Sequence, residues 1–292
     1  MLSPFAQAVR LTRPHNCVIG AASVAVGALL ARGVAGWASA LGVALPAGLM
    51  ALLVCAGAYA VNDYYDLGTD AVAKPSRPLV SGGLRPRTAL RLGGALWVAA
   101  AVPAALGGAR VVAFWLGWVA ALWLYSWRLK GWGLAGNLVA SLAASSGFVL
   151  GAAVGGDAGA GVLPALISLA LHLGREIAKG VADARGDAAV GLRTLAVRVG
   201  QRAALRLALW CIAGVVIVSL IPVVASAYGL GYFVVVALGA YPLLGVSAGR
   251  VIGALGRGVT QDDELAAAGR SVARMLKAVM PVGLVAFLLA GV

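Results

Sequence analysis

Nine stretches of about 20 mainly apolar residues recur along this chain, and a run of that length and character is what a helix needs to cross a bilayer. They lie near 15–33, 40–66, 88–107, 111–128, 134–155, 162–182, 203–226, 229–249 and 272–291. Lipid offers no water to an exposed backbone, so segments of this kind must close their own hydrogen bonds as helices. Composition agrees. Of 292 residues, 62% are hydrophobic and 11% charged, and the mean hydropathy is +0.95. A soluble chain of this length has no means of hiding so much apolar surface. The 41 glycines would suggest loops in water; in a membrane they suit helices whose backbones touch. The expected fold is therefore all-α: a polytopic membrane protein of nine transmembrane helices in a single domain, 1–292.

The net charge is +13. Its distribution speaks for cytoplasmic loops and anionic lipid heads, so no nucleic-acid partner is expected. With Arg10 and Arg13 placed inside, nine spans also put Lys74, Arg77, Arg85, Arg87, Arg91, Arg128 and Lys130 inside. The bases from Arg175 to Arg206 follow, as do Arg250, Arg257, Arg270, Arg274 and Lys277; only Arg32 and Arg110 fall outside. The expectation is a multi-pass cell-membrane protein with its N-terminus cytoplasmic, its C-terminus outside and its site at the cytoplasmic face. The opening segment MLSPFAQAVRLTRPHN leads to no A-x-A-like cleavage pattern at a suitable place, so the first apolar stretch reads as a helix of the mature protein. Cys17, Cys55 and Cys211 stand singly, without pair or metal spacing, and read as packing residues.

The acids are more telling. Of ten Asp and Glu residues, all but Asp157 fall on the cytoplasmic side. Most gather in two stretches separated by four helices, which suggests a weak internal repeat of about 1–133 and 134–292. The first reads VNDYYDLGTDAVAKPSRPLVSGG and spaces Asn62, Asp66 and Asp70 by four. On a helix, steps of four drift about 40° and rise about 6 Å, so the three side chains form one stripe. Like charges so spaced repel unless a cation neutralises them. Separated hard oxygen ligands suit Mg²⁺, which keeps waters and shares phosphate oxygens with a substrate. Lys74, Arg77 and Arg85 follow and have the charge to hold the same phosphates. Pro75 and Pro78 are expected to end the helix. The second stretch, REIAKGVADARGDAAVGLRTLAV, puts Arg175, Lys179, Asp183 and Asp187 on one face at the same spacing, with Glu176 beside it. Two such stripes at one face of an acid-poor chain predict a metal–diphosphate site. The bland alternative is a set of solvated loop acids paired with neighbouring bases.

The pattern resembles the UbiA superfamily of intramembrane prenyltransferases, which carry NxxxDxxxD and DxxxD motifs. Here these stand at Asn62–Asp66–Asp70 and Asp183–Asp187, supported by RPHN from Arg13, KPSRPLVSG from Lys74 and YSWRLK from Tyr125. The REIAKGVADARGD and GLRTLAV segments look most like the branch of digeranylgeranylglyceryl phosphate synthases. Departures from that branch are Gly180–Val181–Ala182, where a more acidic stretch is expected, and Ala196, where Pro is expected. The resemblance implies a helical bundle around a central cavity with a cytoplasmic cap. It implies Mg²⁺ held by Asn62, Asp66, Asp70, Asp183 and Asp187, and an isoprenyl diphosphate donor held by Lys74, Arg77, Lys130 and Lys179, with Arg13, Asn16 and Arg175 as further binding residues. The acceptor would be lipophilic: geranylgeranylglyceryl phosphate, or an aromatic ring such as 4-hydroxybenzoate. An allylic cation needs shielding by aromatic faces. Tyr125 is the favoured candidate; Tyr59, Tyr64 and Tyr65 lie at similar depth, and an interfacial belt is an equal reading for Tyr59 and Tyr65.

Other polar residues read as structural. His15 and His172 lie near expected helix ends with no metal partners. The Trp residues at 115, 118, 123, 127 and 132 read as belt or packing. Ser145 and Ser146 are expected to bond helix carbonyls. Thr260, Asp262, Asp263 and Glu264 resemble the start of a short surface helix. A cation-coupled transporter is the reading from another class; the nearly uncharged outer half of the chain speaks against a relay across the membrane.

Overall fold

The computed structural model describes residues 3–256 and 262–290. Among the described residues all regular secondary structure is helical, and nine helices are long and apolar enough to span a membrane. They are α1 Pro14–Arg32, α2 Trp37–Tyr65, α3 Pro86–Leu106, α4 Ala109–Trp127, α5 Leu134–Gly155, α6 Ala158–Ala189, α7 Gln201–Val224, α8 Leu230–Gly256 and α9 Asp263–Leu288. Each matches one expected stretch. Two ends differ with consequence. The helix of α6 runs on through Asp183 and Asp187 to Ala189, so the second acidic pair is helical. The short surface helix expected at Thr260–Glu264 is not separate. Thr260 lies outside the described residues, while Asp263 and Glu264 sit in the first turn of α9, whose backbone is helical from Asp262. Nothing in the Ala-rich run that follows breaks a helix, and Leu265, Ala266 and Val272 bury one side of it.

Lipid as solvent reverses the usual surface rule. Val98, Trp210, Val224 and Leu238 are each more than 70% exposed, and they form part of the face turned to the bilayer. Helix contacts rest on small residues instead. Gly147, Gly151 and Gly155 repeat every fourth position on α5 and face α1. A Cβ at Gly151 would overlap the carbonyl of Val24, and one at Gly27 would overlap the carbonyl of Phe148. The two backbones are therefore in direct contact, which larger residues would forbid.

Contacts between α1 and α2, α6 and α7, α6 and α9, and α8 and α9 build the bundle; α5 on α6 and α9 on α1 close it into a ring. One apolar core, with Val24, Met50, Val54, Trp97 and Leu150, serves the first five helices. Another, with Leu205, Ile212, Tyr232, Leu276 and Phe287, serves the rest. A cavity lies between them. A five-residue π-helical stretch, Val236–Ala240, interrupts α8; such bulges often sit at functional sites, and here Val236 and Ala240 line the cavity.

A cap covers one end. It comprises the helix Leu67–Ala73, the segment to Arg85 and the helix Leu195–Val199; Leu79 anchors it against Leu11, Ala60 and Ala89. At the opposite end, Arg32 Nε donates to the Gly155 carbonyl at 3.1 Å and Arg110 Nη1 to the Ala153 carbonyl at 3.0 Å. The two bases expected outside thus satisfy the carbonyls that the C-terminal turn of α5 leaves without helical partners.

Candidate active site

α2 ends at Tyr65, and Asp66 takes a bridging conformation (φ −84°, ψ 2°) before the helix Leu67–Ala73 begins. The hydrogen-bond ladder barely notices. Asp66 N donates to Asn62 O at 2.9 Å and Asp70 N to Asp66 O at 2.8 Å. The expected stripe therefore survives with a bend at its centre, and Asn62 Nδ2 donates to Asp66 Oδ2 at 2.7 Å. The helix stops at Ala73, two residues before Pro75, because the residue preceding a proline is pushed out of helical conformation.

The second stripe reaches the first through a glycine. A Cβ on Gly186, between Asp183 and Asp187, would stand 2.9 Å from the carbonyl of Thr69. Only glycine lets α6 lie this close to the acidic helix of the cap.

Two lysines then bridge the motifs. Lys74 Nζ is 2.6 Å from Asp183 Oδ2 and 3.6 Å from Asp70 Oδ1. Lys130 Nζ is 2.6 Å from Asp66 Oδ1 and 3.9 Å from Asp187 Oδ1. Arg77 Nη1 donates to Asp63 Oδ1 at 2.7 Å and to Asp70 Oδ2 at 2.5 Å. The carboxylates so gathered are all buried, Asp187 and Asp70 most deeply. Such a layer coheres only because acids and bases alternate within it. Burial lifts the Asp70 carboxyl above its usual range, even with Arg77 and Lys74 pulling it down. Burial likewise presses Lys130 toward the neutral form, but Asp66 and Asp187 outweigh it and hold its pKa above the ordinary lysine value.

Arg13 enters from the other side. It links the helix Pro4–Thr12 to α1 in left-handed backbone conformation (φ 50°, ψ 60°), which costs a non-glycine residue about 1–2 kcal/mol. Its side chain makes the conformation worthwhile: Nη2 donates to Asp63 Oδ1 at 2.5 Å, and the guanidinium stacks 4.5 Å from the centre of the Tyr59 ring. Asn16 Nδ2 donates to the Tyr59 hydroxyl at 2.9 Å.

Beneath this layer the cavity has two lobes. Asn62, Trp118, Tyr125, Glu176 and Lys179 line the more polar one. Leu171, Leu244, Met280 and Phe287 line the more apolar one. Tyr59, His172 and Arg175 wall both. Glu176 is clasped between its neighbours: Arg175 Nη1 donates to Oε1 at 2.8 Å and Lys179 Nζ to Oε2 at 2.7 Å.

Most of the residues expected from the motifs meet here; Arg85 does not, since it lies exposed just before α3, outside the cavity lining and the ion-pair layer. Asn62, Arg13, Tyr125, Arg175 and Lys179 line the polar lobe, and Asn16 the apolar one. Asp66, Asp70, Asp183, Asp187, Lys74, Arg77 and Lys130 make the ion-pair layer. Tyr59 belongs to the cavity wall rather than an interfacial belt, because Arg13 and Asn16 hold it there. Tyr64 and Tyr65 pack edge to face, 5.2 Å apart. His172 lies well inside α6, not near a helix end, midway along even the 162–182 stretch, and it lines the cavity. Trp118 donates to Ser146 Oγ at 2.8 Å, and Ser145 and Ser146 donate to the carbonyls of Leu142 and Ala143. Asp63 is the residue the spacing missed. It adjoins Asn62 and so points off the stripe, toward Arg13 and Arg77; the unpaired bases on either side were its only sequence signal. The contact between His15 and Lys277, at opposite ends of the chain, had none.

The sequence matches the UbiA prenyltransferase family over residues 20–251, and the chain belongs to that family: it is a membrane-embedded prenyltransferase. A digeranylgeranylglyceryl phosphate synthase of Methanopyrus kandleri is 35% identical over 285 residues, covering 96% of this chain and 97% of the relative. One from Halobacterium salinarum is 38% identical over 232 residues, covering 79% of this chain and 83% of the relative. Solved structures share the fold. One from work on digeranylgeranylglyceryl phosphate synthase in membranes aligns with TM-score 0.69 at 24% identity, over 99% of this chain and 98% of that one. A UbiA homolog from Archaeoglobus fulgidus, bound to GPP and Mg²⁺, aligns with TM-score 0.62 at 20% identity, over 95% of this chain and 99% of that one.

Proposed function

We propose that this protein transfers a geranylgeranyl group from its diphosphate to the free hydroxyl of geranylgeranylglyceryl phosphate, forming the second ether bond of an archaeal-type lipid. The observation that carries the reading is the pair of acidic motifs, brought face to face at Gly186 and bridged by Lys74 and Lys130 over a largely apolar cavity. The synthase relatives support this acceptor over an aromatic one, and membership in a prenyltransferase family sets the transporter reading aside.

The donor set fits Mg²⁺. Its ligands would be the oxygens of Asn62, Asp66, Asp70, Asp183 and Asp187. Among the described residues no three His, Cys, Asp or Glu side chains converge as an all-protein cage. That suits an ion that retains waters and shares substrate phosphates. Asp187 Oδ1 is buried without a hydrogen-bond donor, and Lys130 Nζ stands off from it at 3.9 Å, which leaves it an acceptor position for a second cation. When bound, the metal would offset the charge that builds on the diphosphate as it leaves.

The chain's own residues do the rest. Lys74, Arg77 and Lys130 exchange carboxylate partners for diphosphate oxygens and stabilise the leaving group. The prenyl tail lies in the cavity. As the allylic C–O bond lengthens, positive charge grows on the carbon, and the faces of Tyr59 and Tyr125 shield it. Apolar walls keep out water, which would otherwise capture the cation. The acceptor hydroxyl attacks, and its proton passes to the departing diphosphate as the ether forms. The site would lie at the cytoplasmic face, with the N-terminus on the same side. The test is a product assay with Mg²⁺, labelled geranylgeranyl diphosphate and geranylgeranylglyceryl phosphate. A metal-dependent diether product is expected, and transfer only to 4-hydroxybenzoate would overturn the acceptor assignment.

A further inference from the structure

Three helices each end a cavity-lining stripe with a nitrogen base at the capped end of the apolar lobe. On α1 the stripe is Ile19 and Ser23, and His15 stands one turn before Ile19. On α6, Ser168 and Leu171 lead to Arg175. On α9, Met280 and Leu284 are preceded by Lys277. Residues three or four apart share a helix face, so Arg175 stands in the wall of the lobe while His15 and Lys277 stand one turn beyond its lining residues, at its mouth. Two of them touch: Lys277 Nζ lies 2.5 Å from His15 Nε2.

One of these bases lacks an anion. Glu176 and Asp63 engage Arg175 and Arg13, but among the described residues no carboxylate pairs with Lys277, whose hydrogen bond goes to a histidine. Arg175 Nε is also buried with no partner. An ammonium held against an imidazole, with no carboxylate of its own, is better satisfied when an anion joins it. Lys277 thus differs from Lys74, Arg77 and Lys130 of the acid–base layer, each of which has a carboxylate.

We propose that His15, Arg175 and Lys277 form the binding site for the phosphate monoester of the acceptor lipid, whose hydrocarbon tail fills the apolar lobe. The assignment rests on the acceptor reading above and deepens it. It gives the two anionic substrates separate sites: the diphosphate among the acidic motifs, the monoester across the cavity. The cluster is partly open to solvent, so the headgroup can enter from the cytoplasmic side while its tail passes between helices.

The experiment compares wild type with Lys277→Gln and Lys277→Arg in nanodiscs. Two quantities are read: the KM for each substrate during turnover, and the Kd of geranylgeranylglyceryl phosphate without donor. Loss of one partly exposed charge–phosphate contact should raise both the acceptor KM and this Kd about tenfold, equivalent to about 1.4 kcal/mol. The donor KM should stay unchanged and Lys277→Arg should restore most of the loss. The preference for this lipid over geranylgeranylglycerol should shrink to the same extent. Inorganic phosphate should compete with the lipid and not with the donor, more weakly in Lys277→Gln. An unchanged acceptor Kd, or a donor KM that rises in step, overturns the site. A wild type that binds the lipid in a Lys277-dependent way but makes no ether leaves the site standing and removes the functional reading instead.

Discussion

Asp63 is neither in the motifs nor, on the reading above, a metal ligand, yet it holds two of the bases around the site. Its Oδ1 accepts from Arg13 Nη2 at 2.5 Å and from Arg77 Nη1 at 2.7 Å. Each such charge-assisted bond is worth about 1.5–3 kcal/mol, so the pair represents about 3–6 kcal/mol. In Asp63→Asn the amide oxygen keeps one weaker bond, worth about 1 kcal/mol. Both guanidinium groups retain about a fifth of their exposure and a second partner, Tyr59 for Arg13 and Asp70 for Arg77. The net loss should be about 2–3 kcal/mol, or some 4–12 °C in Tm at about 2–4 °C per kcal/mol. There is a second consequence. Arg77, released from Asp63, should settle more firmly on Asp70 and compete with the metal there. Thermal unfolding in detergent checks the first effect, and the Mg²⁺ concentration for half-maximal activity checks the second; it should rise several-fold. A variant with wild-type Tm and unshifted Mg²⁺ dependence would refute the claim that Asp63 positions these bases.

Asp66→Asn and Asp183→Asn should each lower kcat by about 10²–10³, as loss of transition-state charge stabilisation does, while circular dichroism stays helical. Gly186→Ala should cost about 1–3 kcal/mol through overpacking against Thr69 and should lower activity beyond its effect on Tm, because it parts the two motifs; equal activity and Tm would show that the close approach is dispensable. Lys130 has a folded-state pKa above its unfolded one. Its ion pairs therefore contribute stability that is complete below the ordinary lysine pKa and lost as pH rises through the folded value. Lys130→Gln should flatten the alkaline arm of the stability–pH curve relative to wild type, as read by unfolding from neutral to strongly alkaline pH.

How much of this was legible depends on the range over which each interaction acts. Nine spans followed from runs of apolar residues, because the bilayer tests each helix separately for length and polarity. The stripes Asn62–Asp66–Asp70 and Asp183–Asp187 followed from the helix repeat, a property of neighbours along the chain. Even the bend at Asp66 leaves them intact. Helix ends were less visible: α6 outruns its apolar stretch because Asp183 and Asp187 are neutralised by Lys74 and Lys130, which come from distant segments.

Tertiary structure alone decided the partners. Which base meets which acid, why Gly186 must be glycine, that Asp63 serves Arg13 and Arg77, and that His15 meets Lys277 from the far end of the chain all depend on how helices pack. The physical reason is that a membrane sets which segments become helices but barely distinguishes one apolar face from another. Small residues and ion pairs choose the neighbours, and those contacts join positions whose separation along the chain carries no periodic signal.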